Sequence, residues 1–119
     1  MARMYCLWVG IILLILGVIG FLTPMFLTLQ FTGLHNWIHL ISGAVLAYLG
    51  FTGTAVKTGA QVFGVVYTLV GVLGFIGGGT VPVLGLPVNA LYNLIHIVVG
   101  LAGVYAGFGA AEAASSSRA

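Results

Sequence analysis

The chain has 119 residues, of which 61% are hydrophobic and only 3% are charged, and its formal net charge at pH 7 is +2. A soluble domain is about 25% charged, so these few charges are too sparse to solvate a globular surface, and we predict an integral membrane protein. The low net charge gives no reason to expect a nucleic-acid partner. The single cysteine, Cys6, excludes an intramolecular disulfide, and the single acid, Glu112, leaves no carboxylate pair for acid–base chemistry.

The first half of the chain predicts one helical hairpin. An apolar run over 4–22 follows Arg3, and about 20 apolar residues cross a bilayer. A signal peptide is the competing interpretation of this run, but no A-x-A-like cleavage site follows it. An uncharged outer loop over 23–33 leads into a second helix over 34–52, and 53–60 forms a short connection.

The second half predicts a matching hairpin. A third helix over 61–77 ends in a glycine run, a proline-containing outer loop covers 80–87, and a fourth helix covers 88–108. The remaining residues, 109–119, form a polar tail. We therefore expect one transmembrane domain over 1–119, an all-α, four-helix membrane bundle.

A motif, N-x-x-H-x-x-x-G, occurs at 36–43 and again at 93–100. Positions i, i+3 and i+7 share one face of a helix, so each motif forms a stripe that is polar at its start and small thereafter. Similarity at offsets of 54 and 57 residues extends over both hairpins, which predicts an internal duplication with repeats over about 4–53 and 60–108. Two hairpins of equal topology are parallel repeats, so His39 and His96 should lie at similar depth and face each other.

Small residues let membrane helices approach closely. The repeated glycines therefore predict helix–helix packing, and on the first and third helices they could also admit a partner helix, as in a homo-oligomer or a larger membrane complex. The predicted packing glycines are Gly10, Gly17, Gly20, Gly43, Gly50, Gly64, Gly71, Gly74, Gly100, Gly103 and Gly107.

Three basic residues predict the orientation of the bundle. Four spans place Arg3, Lys57 and Arg118 on one side, and the positive-inside rule makes that side cytoplasmic. The N- and C-termini are then cytoplasmic, and both Asn–His motifs begin near the opposite face of the membrane.

The two N-x-x-H segments, the four predicted spans and the glycine-rich helices resemble a family of small bacterial membrane proteins known only as a domain of unknown function. The resemblance covers about 5–108, and its most specific element is Asn-x-x-His on an even-numbered helix, present here at Asn36/His39 and at Asn93/His96. It implies a protein of the bacterial inner membrane. The family has no established activity, so no catalytic residue is carried over.

The Asn–His motifs are first interpreted as a buried polar core. Polar side chains in a membrane need hydrogen-bond partners, and Asn36 could pair with His96 while Asn93 pairs with His39. Such bonds would join the two hairpins. The predicted function is then that of a structural, accessory or regulatory membrane component, with no enzymatic activity, no cofactor and no metal.

Three alternatives remain open at this point. His39 and His96 could be axial ligands of a haem iron or could bind a chlorophyll magnesium. Intramembrane histidines also suit a transporter or a proton-conducting protein. Finally, His35 and His39, at i and i+4, could share a zinc ion with His96, although no acid in the predicted spans could act as the base of an enzyme.

Overall fold

A computed structural model describes residues 1–23, 25–26, 29–82 and 84–109 of the chain. The segments that join the helices of each hairpin contain short antiparallel strand pairs, which the sequence predicts only as loops. The predicted all-α fold of four helices is confirmed. In chain order the elements are α1 (Ala2–Leu22), β1 (Met25–Phe26), β2 (Leu29–Gln30), α2 (Gly33–Thr52), α3 (Val56–Ile76), β3 (Thr80–Val81), β4 (Leu86–Pro87) and α4 (Ala90–Phe108).

The helix bounds differ most from the predicted ones at the start of α3. The sequence predicts a connection over 53–60 because Lys57 and Thr58 interrupt the apolar run. In the structure these polar residues form the first turn of α3, and the connection is only 53–55. Gly53, with φ of 71°, ends α2 in the left-handed conformation that glycine adopts without strain.

The start of α4 is set by a side-chain cap. The side-chain oxygen of Asn89 accepts a hydrogen bond from the backbone N–H of Tyr92 at 2.9 Å, so the helix begins at Ala90 and not at residue 88. At the other end of the chain, α1 begins at Ala2, two residues before the predicted start. The predicted polar tail beyond Gly109 lies outside the described residues.

Two antiparallel hairpins, α1–α2 and α3–α4, make up the bundle. The guanidinium of Arg3, near the start of α1, donates to the Gly50 carbonyl oxygen at 2.8 Å and to that of Phe51 at 2.9 Å, near the end of α2. At the opposite end of the same hairpin, Gly20 lies against Asn36. We call the end with Arg3 and Lys57 the charged end, and the end with the N-termini of α2 and α4 the histidine end.

Glycines bring the backbones within each hairpin together. A Cβ at Gly10 would overlap the backbone of Ala47 in α2, and one at Gly64 would overlap that of Val104 in α4. All eleven glycines predicted to pack between helices are buried. Those of α1 are covered by α2, and those of α3 by α4, so the glycines serve the packing within each hairpin.

The two hairpins meet at the charged end through side chains of α1. The Tyr5 hydroxyl donates to the Val99 carbonyl oxygen of α4 at 2.9 Å, and the Cys6 thiol donates to the Val56 carbonyl oxygen of α3 at 3.4 Å. Cys6, Val56 and Leu46 are almost fully buried there. α1 is therefore the element through which the first hairpin packs on the second at this end.

Three of the four helices, α1, α3 and α4, are long and apolar enough to cross a membrane. α2 has 20 residues, so its length is similar, but its first two turns carry His35, Asn36 and His39. These polar residues lower its average hydropathy, and they are also the residues that build the candidate site.

Candidate functional site

The candidate site lies between the first two turns of α2 and the first two turns of α4. The backbone N–H of His35 donates to the Thr32 hydroxyl at 3.2 Å, which caps α2, and His39 follows one turn later on the same face. His96 lies on α4, in the second hairpin. The exposed fractions of His35, His39 and His96 are 3%, 4% and 9%, so all three imidazoles are inside the bundle.

The three imidazoles form one cluster. The ring centroids of His35 and His39 are 4.2 Å apart, and those of His35 and His96 are 5.9 Å apart. One ring nitrogen from each histidine can be chosen so that all three lie within 4.8 Å of one another. The predicted proximity of His39 and His96 is therefore observed, and His35 completes a set of three.

Aromatic rings surround the cluster. Tyr92 stacks on His35 with a centroid distance of 5.1 Å and on His96 at 5.6 Å, while Tyr67 of α3 stacks on His96 at 6.1 Å. The edge of Phe31 contacts His39 at 6.0 Å. The histidines are thus positioned by ring packing from three helices and from the segment before α2.

Hydrophobic residues of the β3–β4 segment close the histidine end. Val81, Leu86 and Val88 are buried, and they form a cluster with Phe31 and Tyr92. Two of its members, Phe31 and Tyr92, also pack against the imidazoles. The site therefore has an apolar cluster on the side of the β3–β4 segment.

Several polar atoms of the site have no hydrogen-bond partner. The Nδ1 atoms of His35, His39 and His96 are buried and unpaired, as are the Oδ1 atoms of Asn36 and Asn93. A buried polar atom without a partner costs about 1–3 kcal/mol, so five such atoms at one end of a small bundle require a physical explanation.

The asparagines do not make the predicted crosswise bonds to the histidines. Within the part of the chain that the structure describes, no hydrogen bond joins Asn36 to His96 or Asn93 to His39. A Cβ at Gly20 would overlap Oδ1 of Asn36, and one at Gly74 would overlap Oδ1 of Asn93.

At Gly20 and Gly74 a hydrogen on Cα occupies the place of the Cβ. Each asparagine oxygen therefore receives a weak Cα–H···O contact from the other helix of its own hairpin. The prediction is wrong because the glycine opposite each asparagine leaves room for the amide there. The imidazoles meanwhile stack on aromatic rings.

A cavity of about 220 Å³ adjoins the cluster. His39, His96, Tyr67 and Tyr92 line its polar side, and apolar residues of α1 and α4, such as Leu13, line the rest. Pockets for drug-sized ligands measure about 300–1,000 Å³. The space supports a ligand smaller than a tetrapyrrole, so haem or chlorophyll binding stays a prediction with no support from the cavity.

The sequence joins His35 to the other two histidines only in the zinc alternative, and it does not single out Tyr92. His35 and Trp37 both lie near the start of α2, but His35 is buried and Trp37 is 58% exposed. The i, i+4 spacing of His35 and His39 was the signal that joined His35 to the cluster. Tyr92, four residues before His96 on the same helix face, carried the same kind of signal.

Residues 57–119 match a family described as a domain of unknown function, DUF4383. The matched segment contains the second Asn–His motif and, among the residues that the structure describes, nearly all of the second hairpin. No curated protein and no solved structure matches the chain. The predicted resemblance to a family of unknown function is confirmed.

Proposed function

The chain belongs to the DUF4383 family, and from its own structure we propose that it is an integral membrane protein with four spans that serves as a small structural or accessory component of the bacterial plasma membrane. The observation that carries this proposal is the distribution of apolar and polar side chains between the outside and the inside of the bundle. Large apolar residues point outward from all four helices, and the polar side chains of the motifs point inward. Examples on the outer faces are Ile12, Ile41, Leu69 and Val98, each more than half exposed.

The dimensions of the bundle support membrane insertion. Its longest extent is 40 Å, and a bilayer with its headgroup regions is about 40–45 Å thick. Exposed aromatic rings lie toward both ends, with Tyr48 and Tyr105 near the charged end and Trp37 at the histidine end. Aromatic rings of this kind favour the headgroup level.

The proposal includes α2 as the fourth span. His35, Asn36 and His39 lower its hydropathy, but all three are buried against the other helices. A polar side chain that faces the bundle interior does not meet lipid, and helix-to-helix contacts are where membrane proteins keep such residues.

We also infer that the two hairpins are an internal duplication. Contacts recur at the same offsets that relate the sequences: Gly20 faces Asn36 as Gly74 faces Asn93. In the same way Gly50 contacts Leu7 while Gly107 contacts Gln61. Paired contacts at fixed offsets are what a duplicated hairpin produces.

Two hairpins of equal topology have the N-termini of α1 and α3 at the same end of the bundle. Arg3 and Lys57 lie there, so the positive-inside rule assigns the charged end to the cytoplasm and the histidine end to the outer face. Among the described residues there is no acidic side chain that could act as a catalytic base, and we therefore keep a non-enzymatic role in the proposal.

Labelling of single cysteines tests insertion and orientation together. In a Cys6→Ser background, Leu84→Cys places a thiol at the histidine end and Thr54→Cys places one in the connection between α2 and α3, and both positions are exposed. We expect a membrane-impermeant maleimide to label Leu84→Cys on intact cells, and Thr54→Cys only after the membrane is opened. Reversed labelling would contradict the orientation, and release of the protein by carbonate washing would contradict integral insertion.

A further inference from the structure

The three buried histidines have the geometry of a metal site. We propose that His35, His39 and His96 together bind one divalent transition-metal ion of the Zn²⁺ and Cu²⁺ class. This goes beyond a structural role for the Asn–His motifs, and it departs from the expectation of a metal-free protein drawn from the sequence. It rests on the arrangement of the side chains and does not depend on which way the bundle faces.

The first argument is the spacing of the ligand atoms. A zinc ion binds histidine nitrogens at about 2.0–2.1 Å, which places tetrahedral ligands roughly 3.4 Å apart. One nitrogen from each imidazole already lies within 4.8 Å of the other two. Rotation of the rings about their side-chain bonds is the movement that the proposal requires to close the remaining distance.

The second argument is the unpaired state of the nitrogens. Each Nδ1 is buried and makes no hydrogen bond, although Thr32 and Asn89 satisfy backbone groups in the first turns of the same two helices. A neutral imidazole has one N–H donor and one lone-pair acceptor. A metal ion accepts one lone pair from each ring, so it provides a partner for up to three of the buried, unpaired nitrogens at once.

The third argument is the chemistry of the ligand set. Three imidazoles without a carboxylate or carbonyl cage disfavour Ca²⁺ and Mg²⁺, which take oxygen ligands. Cys6 lies at the charged end against Val56, so no thiolate reaches the cluster. Imidazole suits Zn²⁺ and Cu²⁺, and three histidines leave a fourth position open.

The adjoining cavity accommodates that fourth position. His39 and His96 line it, and its volume of about 220 Å³ holds water or a small anion beside the ion. A metal-bound water ionises far more readily than bulk water. A hydroxide at this position offsets part of the positive charge, which matters because no acidic side chain among the described residues lies near the cluster.

Cobalt titration of the purified protein tests the proposal. The full chain carries an affinity tag without histidines, is stripped with chelator in detergent, and is titrated with Co²⁺, whose visible spectrum reports coordination number and ligand type. We expect one Co²⁺ per chain, tetrahedral bands without a thiolate charge-transfer band, and displacement by one equivalent of Zn²⁺. Metal analysis of the Zn²⁺ form should give the same stoichiometry.

Matched variants show whether the three histidines are the ligands. His35→Phe, His39→Phe and His96→Phe keep a stacking ring and remove the nitrogens, and each should weaken binding by at least about 100-fold, since even loss of a supporting contact around a metal ligand costs about 10–100-fold. Asn36→Ala is the control, because it removes an equally buried polar side chain from the same turn of α2. It should leave the metal affinity within a few-fold of that of the wild-type protein.

Two results would overturn the metal site. One is a folded, monodisperse protein that takes up no Co²⁺ or Zn²⁺ at micromolar concentrations. The other is unchanged stoichiometry when all three histidines are replaced by phenylalanine, with helical content verified by circular dichroism. Neither result bears on membrane insertion or orientation, which the cysteine labelling decides separately.

Discussion

Gly10→Ala is expected to destabilise the protein although alanine is the better helix former. A Cβ at position 10 of α1 would overlap the backbone nitrogen of Ala47 and would lie 2.8 Å from its Cα and 2.9 Å from the Gly43 carbonyl oxygen. These are atoms of the α2 backbone, which cannot rotate aside as a side chain can. The two helices must therefore separate by more than half an ångström to relieve the contacts.

The size of the effect follows from two opposing contributions. Replacing glycine by alanine within a helix favours the folded state by about 1 kcal/mol. Separating two packed surfaces by 0.5–1 Å forfeits about a quarter to a half of each dispersion contact, and overpacking costs typically about 1–3 kcal/mol or more. Because the overlap is with backbone, we take the upper part of that range, which leaves a net loss of about 2 kcal/mol.

Reversible unfolding in mixed detergent and SDS micelles, followed by circular dichroism, measures this loss. Gly33→Ala is the control, because Gly33 is the exposed first residue of α2 and a Cβ there would meet no atom within 4 Å. It should be neutral or stabilising by up to about 1 kcal/mol. The reasoning fails if Gly10→Ala is as stable as the wild-type protein, or if its free energy of unfolding changes by the same amount as that of Gly33→Ala.

Three further changes test individual contacts in the same unfolding assay. Gly74→Ala should lower the free energy of unfolding by about 1–3 kcal/mol, because its Cβ would displace the Asn93 amide. If Gly74→Ala costs as much in an Asn93→Ala background as in the wild-type protein, the amide is not the cause. Tyr5→Phe should cost about 1 kcal/mol by removing the hydrogen bond to Val99, and unchanged stability would mean that the bond has no net value. Arg3→Gln should cost about 1 kcal/mol through its bonds to carbonyls at the C-terminus of α2, and a loss that grows with added salt would contradict an electrostatic origin.

Long hydrophobic runs, together with the glycines and prolines at their ends, predict the four helices well. The apolar segments are long, and glycine and proline mark their ends, so their existence does not depend on tertiary context. The start of α3 is the clearest error. Lys57 indicates a connection because it is charged, but a helix that reaches a membrane surface can carry a lysine in its first turn.

The sequence predicts that His39 and His96 lie together, but it does not predict the interactions of the asparagines. The repeated motif predicts that His39 and His96 lie near each other, and their ring nitrogens are within 4.8 Å. It cannot show that Asn36 stays within its own hairpin opposite Gly20, because the choice between two partners depends on distances across helix interfaces. Periodicity along one helix carries no information on such distances.

The sequence by itself determined that the chain is helical, that its helices are apolar and rich in glycine, and that two Asn–His motifs occupy equivalent places. Composition and the 3.6-residue period are enough for these conclusions because they follow from local geometry. The tertiary structure decided that His35 faces inward beside His39 and His96, and that Tyr92 and Tyr67 stack on them. The physical reason is that the rotation of each helix about its axis is set by the packing of all four, and only that packing brings three ring nitrogens from two hairpins to one point.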